Sequence, residues 1–417
     1  MQESKIHYGW VILVVGCLVV AGSLGIGRFI YGILLPSLQE GLKLTHNQTG
    51  FLASANMIGY TIGTLITGGI VLRFGSRKVI SISLLGIGLT MLVVGLAQGF
   101  RTVLFFRFLT GISTAGAYIT MMGLSSSWFA ENRRGLANGF LVGGSGLAIF
   151  LTGWLVPFIL EAYPEQGWRY NWIVLGILTI ALAGLSLALL RNYPSLKGLS
   201  PLGEANSSSV NRNTVSKVYT SKEIINLKKI RILAFAFFCY GLSYIIFITF
   251  FVNFLIAEKG VAASVAGEIW GLVGLLSVGS AIVWGVLSDR LGRPHTMAIV
   301  FLLQALSYLL VAGTTATRLM WLSGVIFGLT AWSVPALIAS YCGDLLGPKN
   351  STRALGLVTF LFSIGSVLGP AVAGQIKELS SSFGSAFYLA AFIAFLGGIL
   401  SLYLEKTKVD IVNKSRA

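Results

Sequence analysis

The chain has 417 residues, of which 55% are hydrophobic and only 11% charged, and its mean hydropathy is +0.82. Soluble domains carry about 25% charged residues, so this composition excludes an ordinary water-soluble fold. The formal net charge of +16 would suggest nucleic acid in a soluble chain; here it falls in short loops between apolar runs, which points to a membrane partner instead.

The hydrocarbon core of a bilayer is roughly 30 Å thick, and about 20 apolar residues cross it as a helix. Apolar runs without two-residue alternation decide for helices over barrel strands. The pattern predicts an all-α integral membrane protein with twelve transmembrane helices. In chain order they fall at 9–36, 48–72, 79–98, 102–123, 135–162 and 168–190, then at 229–257, 263–288, 295–315, 319–343, 353–377 and 384–404. MQESKIHYGW shows no small-residue cleavage site and the first run is too long for a signal peptide, so it is expected to remain as helix 1.

The basic residues Arg73, Arg77, Lys78, Arg133, Arg134, Arg290, Arg293, Lys349 and Arg353 lie in the connections after the even-numbered helices 2, 4, 8 and 10. The tail adds Lys406, Lys408, Lys414 and Arg416, whereas the opposite loops hold Glu40, Glu161, Glu165 and Glu258. The positive-inside rule then places both termini in the cytoplasm of a multi-pass protein of the plasma (bacterial inner) membrane. Cys17, Cys239 and Cys342 fall in spans or at a span end, as packing residues rather than a disulfide framework.

Residues 195–228 are polar, basic and rich in Ser and Asn, as a cytoplasmic linker is. They divide the chain into a six-helix bundle at 1–194 and a second at 229–417 with a short tail. The halves repeat. Gly68, Arg73 and Gly75 match Gly285, Arg290 and Gly292 at an offset of 217, which also carries Gly111 onto Gly328 and Gly139 onto Gly356. Three coincidences at one offset indicate a duplicated six-helix unit, hence two pseudo-symmetric halves.

With these motifs the chain resembles the major facilitator superfamily over essentially its whole length. The superfamily's loop motif, Gly-x-x-x-Asp-Arg-x-Gly-Arg-Lys/Arg, is matched by Gly285, Asp289, Arg290, Gly292 and Arg293. The first copy keeps Gly68, Arg73, Gly75 and Arg77 but departs from the motif at Leu72 and Ser76. Helix 4 carries the superfamily's Arg-x-x-x-Gly pattern as Arg107 and Gly111. GRFIYGILLP in helix 1 and YGLSYIIFITFFVNFL in helix 7 look like the YbfB-type branch, and WFAENRRGLANG is similar to oxalate/formate and monocarboxylate porters. The resemblance implies a central cavity lined by helices 1, 4, 7 and 10, rocking of two halves about it, and a cytoplasmic gate at the loop motifs.

Three ionisable residues remain inside the spans: Arg28, Arg107 and Glu268. Such residues cost several kcal/mol by insertion scales and normally face a cavity or a partner. Counted along their helices, all three fall at roughly one depth. Arg28 either snorkels to the headgroups or holds an anion with its planar fork, with Tyr31 three residues on along the same face. Arg107 either braces helix 1, as the resemblance implies, or touches substrate. Glu268 is open to three readings: an interface residue, a proton carrier, or a gate partner of an arginine in the other half. Tyr240 and Tyr244, one turn apart in helix 7, and Trp332 in helix 10 are packing residues or walls of the site.

The sequence holds no His/Cys/Asp cluster of metal-ligand spacing and no Walker loop, so an enzyme, a metal, a cofactor or direct ATP drive is not expected. The expectation is a monomeric secondary transporter for a small organic, carboxylate-like anion. It would work by alternating access, by proton symport or by exchange of anions. The alternative is proton-driven efflux of drugs through Glu268.

Overall fold

The computed structural model describes residues 7–203 and 219–406. Lys408, Lys414 and Arg416 of the tail and the middle of the linker lie outside the described residues.

Among the described residues twelve helices are long and apolar enough to cross a bilayer: α1 (Gly9–Gly41), α2 (His46–Phe74), α3 (Ser76–Leu96), α4 (Phe100–Trp128), α5 (Arg133–Ala162), α6 (Gly167–Leu189), α7 (Lys228–Ala257), α8 (Ala263–Leu291), α9 (Arg293–Gly313), α10 (Thr317–Leu346), α11 (Arg353–Ser380) and α12 (Phe383–Glu405). Most predicted spans are a few residues short at the ends, because capping residues extend a helix past its apolar run, whereas 79–98, 168–190 and 295–315 overrun their helices by one or two residues. Thr45 and Gln48 form a reciprocal capping box that starts α2 at His46.

The chain separates into two compact units. One comprises residues 1–211 with 252–278, the other 212–251 with 279–417.

The internal repeat is written in the backbone. Gly75 joins α2 to α3 with φ +80°, and Gly292 joins α8 to α9 with φ +86°. Both conformations exclude a residue with a Cβ at little cost. The two glycines are the offset pair read from the sequence.

In the first unit α2 crosses α4 in backbone contact. A Cβ on Gly111 would lie 2.0 Å from the Asn56 carbonyl oxygen, and one on Gly59 would lie 2.0 Å from that of Phe108. Without a hydrophobic drive between helices in lipid, such close approach is what gives them van der Waals contact. Residues 195–203, expected as the start of a flexible linker, are instead strapped to this unit. Leu202 donates its N–H to Trp128 O (2.8 Å) and accepts from Ala130 N–H (3.1 Å). His7 contacts Ser200 O, and the Trp128 indole donates to Arg191 O.

Two helices depart from α geometry. α1 widens into π-helical turns over Ala21–Phe29, the glycine-rich stretch AGSLGIGRF. α10 breaks at Ala331–Trp332. A break in an apolar environment frees backbone groups that must find partners, and each is met from a different neighbour. The Trp284 indole of α8 donates to Leu329 O, Gln304 of α9 to Thr330 O, and the Tyr240 hydroxyl of α7 to Ala331 O; Ser280 Oγ accepts the Trp332 N–H.

Two outcomes follow for the purified protein. Gly111→Val overpacks the α2–α4 crossing by about 1–3 kcal/mol and is expected to lower the thermal midpoint by about 5 °C or more. Gly123→Ala, on the same helix with nothing within 4 Å, serves as the control and leaves the midpoint in place. Tyr240→Phe strands the buried Ala331 carbonyl at a cost of about 1–3 kcal/mol. The same measurement should show a fall of a few degrees, and an unchanged midpoint would remove the hydroxyl's role in holding the break.

Candidate functional site

The π-helical stretch of α1 ends at the residue after Arg28. Side chains of a helix lean toward its N-terminus, so Arg28 reaches back along α1 into the middle of the unit rather than outward to the nearer end of the helix. It is 8% exposed. Its guanidinium carbon lies 5.3 Å from the ring centroid of Tyr60 on α2 and 5.4 Å from that of Phe29. Tyr118 on α4 also falls within electrostatic range. Among the described residues nothing accepts a hydrogen bond from Arg28: its buried Nε and Nη2 have no partner.

Arg107 lies close by with a different occupation. It is 1% exposed, donates through Nη1 to Gly27 O at 3.2 Å, and lies over the Tyr31 ring at 4.6 Å and near Trp172 at 5.8 Å. Its own carbonyl accepts from Asn56 Nδ2 at 3.0 Å. Both readings of Arg107 were open from the sequence; the structure displays the brace, since the bonded carbonyl belongs to the widened turn that precedes Arg28.

Tyr31 pairs with Arg107 rather than sharing a face with Arg28. Wider turns place residues i and i+3 on different faces, and the Tyr31 hydroxyl donates to Thr49 O at 2.7 Å. Tyr60 takes the place expected for Tyr31. Its signal in the sequence was its position one turn from Asn56 on α2, facing α1.

Glu268 is half-buried, in the first unit with Arg28. Arg293 pairs with Asp289 and Asp344, and His295 with Glu405; among the described residues neither Arg28 nor Glu268 takes part in an ion pair.

In the second unit Tyr240 and Tyr244 stack on each other at 4.9 Å. The stack extends to Phe362 from Tyr240, and to Phe327 from Tyr244. Trp332 meets Tyr244 edge-on at 5.8 Å, beside the break in α10. The three aromatic residues read from the sequence are thus one cluster, rigid and uncharged.

The two loop motifs differ as the Leu72 and Ser76 departures imply. Arg293 bonds Asp289 at 2.6 Å and Asp344 at 3.2 Å, and caps the Gly285 carbonyl, while Arg290 is exposed. Asp344, at the end of α10, was not legible from the motif. In the first copy Arg77 donates instead to the Leu187 carbonyl at 2.6 Å, and its N–H goes to Asn192 Oδ1. Arg73 rests on the Phe74 ring, Leu72 is 91% exposed, and a Cβ on Gly68 would meet nothing within 4 Å.

Residues 19–402 match the family described as "Uncharacterised MFS-type transporter YbfB". Among relatives, a "Hexuronate transporter" of Bacillus subtilis (strain 168) is 24% identical over 385 residues, covering 89% of each chain. A "Gallate transporter" of Pseudomonas putida is 26% identical over 430 residues, covering 95% of this chain and 91% of the relative. In fold, the chain is similar to a bacterial homologue of the human lysosomal transporter Spinster in its inward-facing, occupied conformation. That match has a TM-score of 0.76 at 14% identity and covers 98% of each chain. The nucleoside transporter NupG superposes with a TM-score of 0.74 at 14% identity, over 97% of this chain and 100% of that one. The chain is a multi-pass membrane protein of the major facilitator superfamily and belongs to its YbfB-type transporter family.

Proposed function

We propose that the protein is a secondary transporter of a small organic anion, working by alternating access, and that Arg28 holds the anion. The observation that carries this is the unpartnered guanidinium: a permanent charge, nine-tenths buried, with no acceptor among the described residues. A buried cation without a partner costs several kcal/mol, and a negatively charged substrate removes that cost each time it binds. The names of the hexuronate and gallate relatives support the same class. Arg107 and Tyr31 shape the turn that presents Arg28. Efflux of cationic drugs is the less supported reading, because Arg28 repels a cation. Neither reading needs a cofactor or a catalytic residue. The loop charges support cytoplasmic termini and a plasma-membrane location.

Arg28 cannot shed its proton, so an unloaded carrier would change conformation with the charge uncompensated. This favours exchange of one anion for another over one-way transport. In proteoliposomes, efflux of a loaded substrate is expected to run about tenfold faster with the same anion outside than without it; equal rates would remove the exchange reading.

Thermal midpoints against a panel of small anions and cationic drugs test the site itself. A ligand that binds the folded state alone raises the midpoint by mass action. One class of anion is expected to do so in the wild type and not in Arg28→Gln, since two charge-assisted hydrogen bonds are worth about 3 kcal/mol or more, roughly a hundredfold in affinity. Without ligand, Arg28→Gln should not lower the midpoint, for it deletes an unpaired buried charge. Arg107→Gln should lower it, for it deletes a bond to Gly27. Stabilisation by cationic drugs that survives Arg28→Gln would sink the anion reading.

A further inference from the structure

We infer that the site takes a hydroxy acid: a carboxylate with at least one hydroxyl on a nearby carbon, read by Tyr60 and Tyr118. This rests on the anion reading above and narrows it. Arg28 of α1, Tyr60 of α2 and Tyr118 of α4 form one group. The guanidinium carbon of Arg28 lies 5.3 Å from the Tyr60 ring centroid, and Tyr118 interacts electrostatically with both Tyr60 and Arg28. Tyr60 is the middle residue of α2 (His46–Phe74), so it stands deep in the span. Both phenols are nonetheless half-buried rather than closed. Because both stand beside Arg28, the surface they keep open adjoins the guanidinium.

Ring contact alone does not call for tyrosine. The Tyr60 ring offers its face to the cation, and a phenylalanine does the same, as Phe29 shows at 5.4 Å. The hydroxyl is the added feature, and away from water a phenol hydroxyl usually finds a partner. That of Tyr31 has Thr49 O and that of Tyr240 has Ala331 O. Among the described residues those of Tyr60 and Tyr118 have none. A phenol is uncharged at neutral pH, so neither hydroxyl offsets the charge of Arg28. Each can both donate and accept a hydrogen bond, which is what a substrate hydroxyl needs. With the cation over its ring face, the Tyr60 hydroxyl lies at the rim of the ring, to the side of the guanidinium. A group carried next to a bound carboxylate comes to that side. A substrate with only hydrocarbon there would strip the phenols of water and return no bond, a cost that a hydroxy acid removes.

Matched acids with and without hydroxyls provide the test: lactate with propionate, gluconate with hexanoate, and gallate with benzoate. Binding to the purified full-length protein is measured by calorimetry at pH 7.5, in wild type, Tyr60→Phe, Tyr118→Phe and Arg28→Gln. At least one hydroxy acid is expected to bind, with its hydroxyl-free partner at least tenfold weaker. Each Tyr→Phe change should weaken the hydroxy acid several-fold and leave the hydroxyl-free acid in place, while Arg28→Gln weakens both. Without ligand, the thermal midpoints of the two Phe variants should match the wild type, since the hydroxyls bond nothing in the fold; a fall would show them bonded within the protein and overturn the inference. A hydroxyl-free acid that binds as tightly as its partner, or a Tyr→Phe change that weakens both alike, overturns the hydroxyl rule; if that binding is lost in Arg28→Gln, the anion site stands. Failure of all six acids to bind in an Arg28-dependent way overturns both.

Discussion

The hydrogen bond from Arg107 to the carbonyl of Gly27 is the contact on which the arrangement of the first unit depends. π-Helical turns leave the i→i−4 ladder and are uncommon because they pack poorly and free backbone acceptors. In a bilayer such an acceptor has no water to turn to. Arg107 supplies the missing donor from α4, and α4 can reach α1 because its own register is fixed by close crossing with α2 at Gly59 and Gly111. The turn that results rotates Arg28 away from Tyr31 and toward Tyr60. The two arginines thus differ: Arg107 satisfies the backbone through Nη1, though its Nε has no partner, and Arg28 bonds nothing among the described residues.

The second unit solves a similar problem without charge. Its broken helix, α10, exposes three successive carbonyls, and Trp284, Gln304 and Tyr240 each donate to one of them. Neutral donors suffice because the aim is only to seal the backbone. The cluster beside the break, Tyr240 with Tyr244 and Trp332, presents ring faces and edges and no formal charge. The duplicated ancestry survives in the offset glycines Gly75 and Gly292, whose positive φ no other residue adopts cheaply. It does not survive in the chemistry of the units, one cationic and the other aromatic.

Much of this was legible in the sequence because lipid imposes strong rules. Twelve spans, the repeat and the three ionisable residues inside the spans follow from length, offset and composition. The π-helical turn was not legible, since AGSLGIGRF fits an α-helix as well; only Arg107, 80 residues away, decides between them. Tyr31 was therefore expected on the face of Arg28 by α periodicity that the chain does not keep. Residues 195–203 read as a flexible linker because they are polar, yet backbone bonds to Trp128 and Ala130 hold them in place, and backbone pairing leaves no mark in composition. Asp344 escaped notice for a related reason: it reaches Arg293 from a helix end that no motif marks.

A carrier needs a site that is costly when empty and relieved when full, for binding energy can bias a conformational equilibrium only through a difference between states. Arg28 meets that need in an economical way. Its charge is permanent, so no change of pH within the physiological range removes the cost. Its surroundings are rings that screen it weakly, and the Tyr31 hydroxyl that α periodicity would have put on its face is bonded to Thr49 O instead. Among the described residues Arg28 is left without a hydrogen-bond partner, and Arg107 Nε and Asn56 Oδ1 are buried without one as well. The Nε–Nη2 edge of Arg28 carries the permanent charge among these orphaned groups, and an incoming carboxylate is the shape that fits it.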